Sequence, residues 1–198
     1  MKYRIARLSD IQGVLDLQYR YQVDSIAEED KKDGFVTTPF TEEQLTALIN
    51  EEKGLFIGLK EGSVVAYVMA ASWQFWSVWP MFAFMIKDLP NLKYLDQSLT
   101  VDNSYQYGPV CIDKSVRGTG VLEDIFDFAR AEMSKRYPIL VTFVNKINPR
   151  SFHAHTKKLG LEVIQEFEFN NNSYYELVYD TSKKIGHEKS VNGISPVG

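Results

Sequence analysis

Residues 110–121, with the sequence VCIDKSVRGTGV, constrain the fold of this chain more than any other stretch. They predict a strand, a tight glycine turn and the first turn of a helix. Backbone N–H groups at such a turn form an anion site at the helix N-terminus. Gly118 and Gly120 allow the main chain to approach a phosphate, and Arg117 adds a fixed positive charge. The run indicates a site for a pyrophosphate-containing cofactor; an ordinary loop is the alternative, since Arg-Gly-x-Gly also occurs in loops.

The length of 198 residues is that of one domain, which we place at residues 1–181 and follow with a polar tail at 182–198. Cys111 is the single cysteine, so an internal disulfide and a cysteine-rich zinc site are excluded and a reducing compartment is favoured. The N-terminal segment has no apolar core of signal-peptide length. We therefore expect a cytoplasmic protein, without a metal cofactor.

The charge of the chain is unevenly distributed. The net charge is −4, yet residues 111–160 hold nine basic and five acidic side chains. The segment with the predicted phosphate turn is thus the basic one, which favours a local anion site over broad nucleic-acid binding. We expect no nucleic-acid partner.

Residues 63–86 contain no charged side chain and are long enough to span a bilayer. Several β-branched and aromatic residues at 64–68 favour a strand there, and polar residues and Pro80 interrupt the apolar run after it. We therefore reject a membrane span and predict a buried strand followed by an aromatic helix or loop.

The remaining patterns predict a mixed α/β sheet. Strands are expected near residues 3–7, 55–60, 64–71, 105–113, 139–144, 162–169 and 174–179, and helices near 9–23, from 41, 121–136 and 149–159. An aromatic-rich insert separates the third and fourth strands. The strand–helix–strand unit at 105–144 predicts a parallel pair within the sheet.

This order and two motifs resemble the GNAT superfamily of acyl-CoA-dependent N-acyltransferases. The first motif is the strand end and the Arg-x-x-Gly-x-Gly/Ala-like turn at residues 112–122. The second follows the next strand, where Asn148, Ser151 and a Leu-Gly-Leu helix end at 159–161 fill the expected places. Two residues depart from the pattern: Leu122 replaces a small residue, and the last helix lacks the family's frequent tyrosine.

The resemblance implies a single GNAT-like domain with a central twisted mixed sheet, and acetyl-CoA as cosubstrate. It implies a splayed strand whose main-chain groups hold the pantetheine and stabilise an oxyanion. The cofactor-binding residues that it implies are Val110, Ile112, Arg117, Gly118, Thr119, Gly120, Val121, Leu122, Asn148 and Ser151.

Catalytic and acceptor residues are harder to assign. Tyr107 and His155 are the catalytic candidates. The alternative for each is an ordinary buried residue of the hydrophobic core. The residues that we nominate for the acceptor site are Phe35, Trp76, Trp79 and Tyr105. The chain has three tryptophans, spaced by three, and they can form the wall of a pocket for an aromatic or cationic amine. A helix packed into the core, or a dimer interface, is the alternative for the tryptophans.

The function that these observations favour is transfer of an acetyl group from acetyl-CoA to a primary amine of a small molecule or peptide, by direct attack through a tetrahedral intermediate. A catalytically degenerate CoA-binding module of the same fold is the alternative. A nucleotide-phosphate enzyme is disfavoured because the turn lacks Gly-Lys-Ser/Thr. The sequence does not fix the acceptor, and it leaves open whether the chain is a homodimer.

Overall fold

The computed structural model describes residues 1–22 and 39–186. In this part of the chain nine strands and six α-helices follow one another. The strands are β1 Lys2–Ile5, β2 Leu55–Lys60, β3 Ser63–Ala71, β4 Lys93–Tyr94, β5 Gln97–Ser98, β6 Ser104–Ile112, β7 Ile139–Asn145, β8 Glu162–Phe169 and β9 Asn172–Asp180. The helices are α1 Ile11–Tyr21, α2 Glu42–Ala47, α3 Trp73–Trp76, α4 Pro80–Asp88, α5 Val121–Met133 and α6 Pro149–His153.

Seven strands form one mixed sheet in the order β1-β2-β3-β6-β7-β9-β8, while β4 and β5 pair separately. Only β6 and β7 run parallel among the described strand pairs, as the strand–helix–strand unit at 105–144 predicts. Their pairing is short, because it covers only Ser104–Gln106 against Ile139–Val141. Beyond these residues the two strands part, and a gap opens near the middle of the sheet.

Local sequence explains several element ends. Thr41 begins α2 with a capping box, in which its hydroxyl accepts from the Gln44 N–H and the Gln44 side chain accepts from the Thr41 N–H. The β2–β3 turn has positive φ at Glu61 and Gly62, and the β8–β9 turn has positive φ at both central asparagines. Such turns match the twist of antiparallel strands, and they favour glycine and asparagine, so the sequence predicts both hairpins.

The sheet separates two apolar clusters. The cluster on one face contains residues of α1, α2, α3 and α4, and the cluster on the other face contains residues of α5. Alternation along β3 shows the division: Tyr67 belongs to the first cluster, whereas its neighbours Ala66 and Val68 belong to the second. Each helix layer thus covers one face of a central strand that is buried on both sides.

The uncharged stretch at 63–86 folds as β3 followed by the two short aromatic helices α3 and α4. Within residues 1–22 and 39–186, no helix has both the length and the apolar composition needed to cross a membrane. The insert between the third and fourth long strands is therefore helical, and the small β4–β5 hairpin follows it. The sequence reading missed that hairpin because strands of two residues carry no periodic signal.

Two of the predicted helices change from α-helical to π-helical hydrogen bonding before they end. A π-helical turn at Leu48–Glu52 continues α2, and another at Ala154–Lys158 continues α6. The first residues of the predicted tail are also in contact with the domain, since the Ile185 N–H donates to Asp127 and Ile185 packs against the α5 cluster. The rest of that tail, from residue 187, lies outside the described residues.

Candidate active site

The glycine turn leads from the end of β6 into α5. Gly118 has a φ of 74° and Gly120 a φ of 85°, in the region that side chains other than glycine rarely adopt. A Cβ at either position would meet no protein atom within 4 Å, so the turn faces open space. Gly120 is also the N-cap of α5, and no side chain caps the helix there. The N–H groups of the first helical turn are therefore well placed to bind an anion.

Two residues of the turn are held by the end of α1. Arg117 donates from Nε to the Ile112 carbonyl at 3.0 Å, and its guanidinium lies 5.0 Å from the Tyr21 ring centroid. The Tyr21 hydroxyl accepts from the Lys114 N–H at 2.7 Å. These contacts fix the cation at the mouth of the turn before any ligand arrives.

Asp113 lies directly after β6, between the strand and the glycine turn. Its carboxylate accepts from Ser115 and forms an ion pair with Arg20 at 2.7 Å. Burial acts to raise the pKa of Asp113, but the hydrogen bonds from Ser115 and the charge of Arg20 outweigh it, so the pKa is lowered. Asp113 is therefore a charged structural residue of the turn.

A cleft of about 250 Å³ lies beside this turn, between α5 and α6. Its lining includes three cations and one carboxylate, which are Arg117, Arg150, Lys158 and Glu123. The predicted cofactor residues Val110, Ile112, Gly118, Gly120, Leu122, Asn148 and Ser151 line it as well. An excess of positive charge next to free helix N–H groups suits a phosphate-bearing ligand.

The other residues of the turn have structural contacts. Thr119 donates from its hydroxyl to the Val116 carbonyl, and Val121 is buried in the α5 cluster. Leu122 is half-buried and packs against the same cluster while lining the cleft. The Leu122 side chain is thus accommodated by the hydrophobic core beside the turn, although the resemblance predicts a small residue at this position.

A larger cavity of about 530 Å³ occupies the gap between β6 and β7. The register of β6 against β3 shifts here, with Val68 opposite Val110 but Ala70 opposite Tyr107. This is a β-bulge that bends β6 away from β7. The Tyr107 carbonyl accepts from the Thr142 hydroxyl at 2.7 Å and from the Gln106 amide at 2.8 Å.

The two cavities meet at one place. Four residues line both of them, and these are Val110, Asn148, Ser151 and His155. Asn148 caps α6 by accepting from the Ser151 N–H at 3.1 Å, so the helix start that forms this shared wall is rigidly defined. A group bound through the cleft and a molecule bound in the larger cavity would touch at this wall.

His155 is the titratable group at the shared wall. Its Nδ1 lies 2.7 Å from the Ser151 carbonyl oxygen, and because a carbonyl can only accept, Nδ1 carries the proton. Burial lowers the pKa of His155, against a smaller opposing effect of the Ser151 hydrogen bond. The ring is therefore neutral near pH 7, and Nε2 holds the basic lone pair.

The two tyrosines nominated on β6 face α5. The Tyr107 ring contacts Phe126 and His155, and its buried hydroxyl has no hydrogen-bond partner among the described residues. Burial raises the pKa of Tyr107 well above its usual value. Tyr105 is 1% exposed and packs on Tyr137, and it lines neither cavity. Tyr107 reaches the larger cavity but presents no exposed hydroxyl to it.

The two nominated tryptophans differ in their surroundings. Trp76 is fully buried and donates from Nε1 to the Gln106 carbonyl at 3.2 Å. Trp79 is half-buried, stands at the N-cap of α4 and lines the larger cavity. Phe35 lies outside the described residues. The tertiary structure thus brings Trp79 and His155 to one cavity and puts Trp76 behind it.

Several lining residues were not found by sequence reasoning. Tyr21 reaches the cleft from α1, and Phe40, Phe143 and Tyr174 reach the cavity from three separate segments. No local motif marks them, because only the pairing order of the sheet brings these segments together. Within the described residues, no group of three histidine, cysteine or acidic side chains is arranged to hold a metal ion.

No protein-family model matches this sequence, and no curated protein matches it. Solved structures do. An N-acetyltransferase from Staphylococcus aureus Mu50 aligns with a TM-score of 0.57 at 17% identity, over 91% of this chain and 98% of that chain. The ribosomal-protein-S18-alanine N-acetyltransferase from Escherichia coli aligns with a TM-score of 0.58 at 11% identity, over 94% and 97%. The protein yncA from Salmonella typhimurium, solved with its cofactor acetyl-CoA, aligns with a TM-score of 0.59 at 11% identity, over 91% and 93%.

These similarities extend over nearly the whole described chain, and their sequence identities are low enough that they show the fold alone. The mixed sheet flanked by helices is the fold of GNAT N-acetyltransferases, which confirms the fold that the two sequence motifs predict.

Proposed function

We propose that this GNAT-fold chain is an N-acetyltransferase that moves an acetyl group from acetyl-CoA to a primary amine. The observation that carries the proposal is the meeting of the two cavities at Val110, Ser151 and His155. The cationic cleft suits the phosphates and pantetheine, and the larger cavity suits the acceptor. With both ligands on one wall, transfer needs no covalent enzyme intermediate.

Bound acetyl-CoA would supply an activated acetyl thioester. The main-chain groups of β6 near the bulge, around Val110, would then stabilise the oxyanion as the amine nitrogen adds to the carbonyl carbon. His155 Nε2 would accept the proton that the amine nitrogen loses, directly or through water. The C–S bond breaks as the tetrahedral intermediate collapses, and the departing thiolate takes up a proton.

Cys111 is not a candidate for an acetylated intermediate. It is 4% exposed and lies in the cluster beneath α1, and burial raises the pKa of its thiol to about 12. A thiol in that state contributes almost no thiolate at neutral pH. The direct route is therefore the one that the described residues favour.

The test is acetyl transfer to a panel of primary amines, together with acetyl-CoA affinity, for the full chain and Arg117→Glu. We expect transfer by the wild type and an affinity for acetyl-CoA about tenfold or more weaker in the variant, because a carboxylate would face the pyrophosphate. Arg7→Glu, a charge reversal at an exposed residue that lines neither cavity, is the matched control and should leave the affinity unchanged. An unchanged affinity in Arg117→Glu would show that the phosphates bind elsewhere.

One further outcome would favour the alternative function, a CoA-binding module without catalytic activity. The last helix lacks the tyrosine that the resemblance expects and has His155 near that place, and Leu122 replaces a small residue in the turn. Tight binding of acetyl-CoA with no transfer to any amine would indicate a CoA-binding module that retains the fold without the chemistry.

A further inference from the structure

The larger cavity has a wall of aromatic rings that contact one another. Ring centroids are 5.9 Å apart for Phe40 and Trp79, 6.3 Å for Trp79 and Phe82, 5.7 Å for Phe82 and Phe143, and 5.6 Å for Phe143 and Tyr174. All five residues line the cavity. Because each ring limits the movement of the next, the wall is rigid and apolar, which favours a flat apolar molecule as its occupant.

Charged side chains are absent from the described lining of this cavity. Its polar side chains, such as Gln106, Thr142 and Asn172, are neutral. The smaller cleft is the opposite case, with Arg117 and Glu123 among its lining residues. A polyamine, or a peptide with charged neighbours, would bring charges into the cavity that no described lining side chain can pair.

We infer that the acceptor is a primary amine on an aromatic or similarly flat apolar body, with no second charge. This inference rests on the proposed function. The amine would lie at the shared wall near Val110 and His155, and the apolar body would stack against Trp79 and Phe82. The single ammonium gives up its proton at His155 before the nitrogen attacks, so the acceptor needs no carboxylate partner.

The inference is tested with the full chain, acetyl-CoA and four acceptors: phenethylamine, butylamine, spermidine and a peptide with an N-terminal alanine and an internal lysine. We expect kcat/KM for phenethylamine to exceed that for spermidine and for the peptide about tenfold or more. Butylamine should fall between them, because it is apolar but cannot stack.

Two variants and one control variant show whether the preference for phenethylamine arises at the aromatic wall. Trp79→Ala should raise the KM for phenethylamine about tenfold, while the KM for acetyl-CoA and the rate with butylamine change little. Phe84→Ala is the matched control: Phe84 lies on α4, the helix that Trp79 precedes, is 41% exposed, contacts Phe167 and Phe169, and lines neither cavity. Met81→Glu adds a carboxylate to the lining and should shift the preference toward spermidine, which keeps the test decisive if Trp79→Ala folds poorly.

The outcomes separate the two proposals. A preference for spermidine or the peptide over phenethylamine would overturn the inference and leave the proposed function intact. Equal effects of Trp79→Ala and Phe84→Ala on phenethylamine would also overturn it. No transfer to any of the four amines, with acetyl-CoA still bound, would overturn the proposed function and the inference with it.

Discussion

At the scale of single residues, the last strand of the sheet carries a buried carboxyl group that the proposed chemistry does not use. Glu176 on β9 is 1% exposed, and its Oε2 accepts from the Gln165 side chain at 2.7 Å. The same Gln165 amide donates to Asp88 on α4 at 2.6 Å. Burial raises the pKa of Glu176 to about 7, against the lowering effect of the Gln165 hydrogen bond.

This shift predicts a pH dependence of stability. A carboxyl group whose folded-state pKa lies above its unfolded value stabilises the fold at low pH, and that stability is lost as the pH rises from about 4.5 to 7. We expect the wild type to lose about 3 kcal/mol of unfolding free energy over this window through Glu176. Glu176→Gln should remove that loss, as measured by urea unfolding at pH 4.5, 6 and 8.

Glu168→Gln is the control for this experiment, because Glu168 is exposed on the neighbouring strand. It should keep the wild-type slope between pH 4.5 and 8. A Glu176→Gln variant with the same slope as the wild type would show that the Glu176 carboxyl ionises normally in the folded protein.

At the scale of elements, two glycine turns have nearly the same positive φ and differ in their proposed role. Gly120 precedes α5 with a φ of 85°, and Gly62 joins β2 to β3 with a φ of 83°. A Cβ at either position would meet nothing within 4 Å. An alanine is therefore strained at both sites by its backbone alone, not by contact with the protein.

We expect Gly120→Ala and Gly62→Ala to lower the free energy of unfolding by a similar amount, about 1 kcal/mol. Only Gly120→Ala should weaken acetyl-CoA binding, because its methyl group and any change of the turn fall where we propose the phosphates. Thermal unfolding and acetyl-CoA titration of both variants measure the two effects. Equal affinities for acetyl-CoA would remove the turn from the cofactor site.

At the scale of the whole molecule, the chain after the last strand contributes to the layer over one face of the sheet. Arg130 on α5 donates to the Thr181 carbonyl at 2.7 Å, and Asp127 accepts from the Ile185 N–H at 3.1 Å. The Tyr179 hydroxyl donates to the Lys183 carbonyl at 2.8 Å. Residues 181–185 therefore connect the last strand to α5.

Truncations at two points test this connection. Deleting residues 184–198 removes the Ile185 contacts and should lower the free energy of unfolding by about 1 kcal/mol. Deleting only 187–198 should leave it unchanged, because the sequence of that segment has no apolar periodicity. Both truncated chains should bind acetyl-CoA as the wild type does. Equal stability losses in the two chains would show that the stabilising contacts lie beyond residue 186.

The sequence by itself determined the features whose physical causes are local. The Thr41 capping box, the hairpin turns and the glycine turn before α5 depend on backbone conformation and neighbouring side chains, so short patterns were sufficient to predict them. The alternation of apolar residues likewise predicted the long strands. Together with two motifs, these elements were enough to identify the fold that the structure shows.

Only the tertiary structure decided which side chains share a cavity. Trp76 and Trp79 are three residues apart, yet Trp76 is buried behind the cavity and Trp79 lines it. Phe40 and Tyr174 are distant in sequence and lie on the same cavity because the parting of β6 from β7 opens the sheet there. The order of strands and the position of one bulge are set by packing over the whole domain, and no local pattern records them.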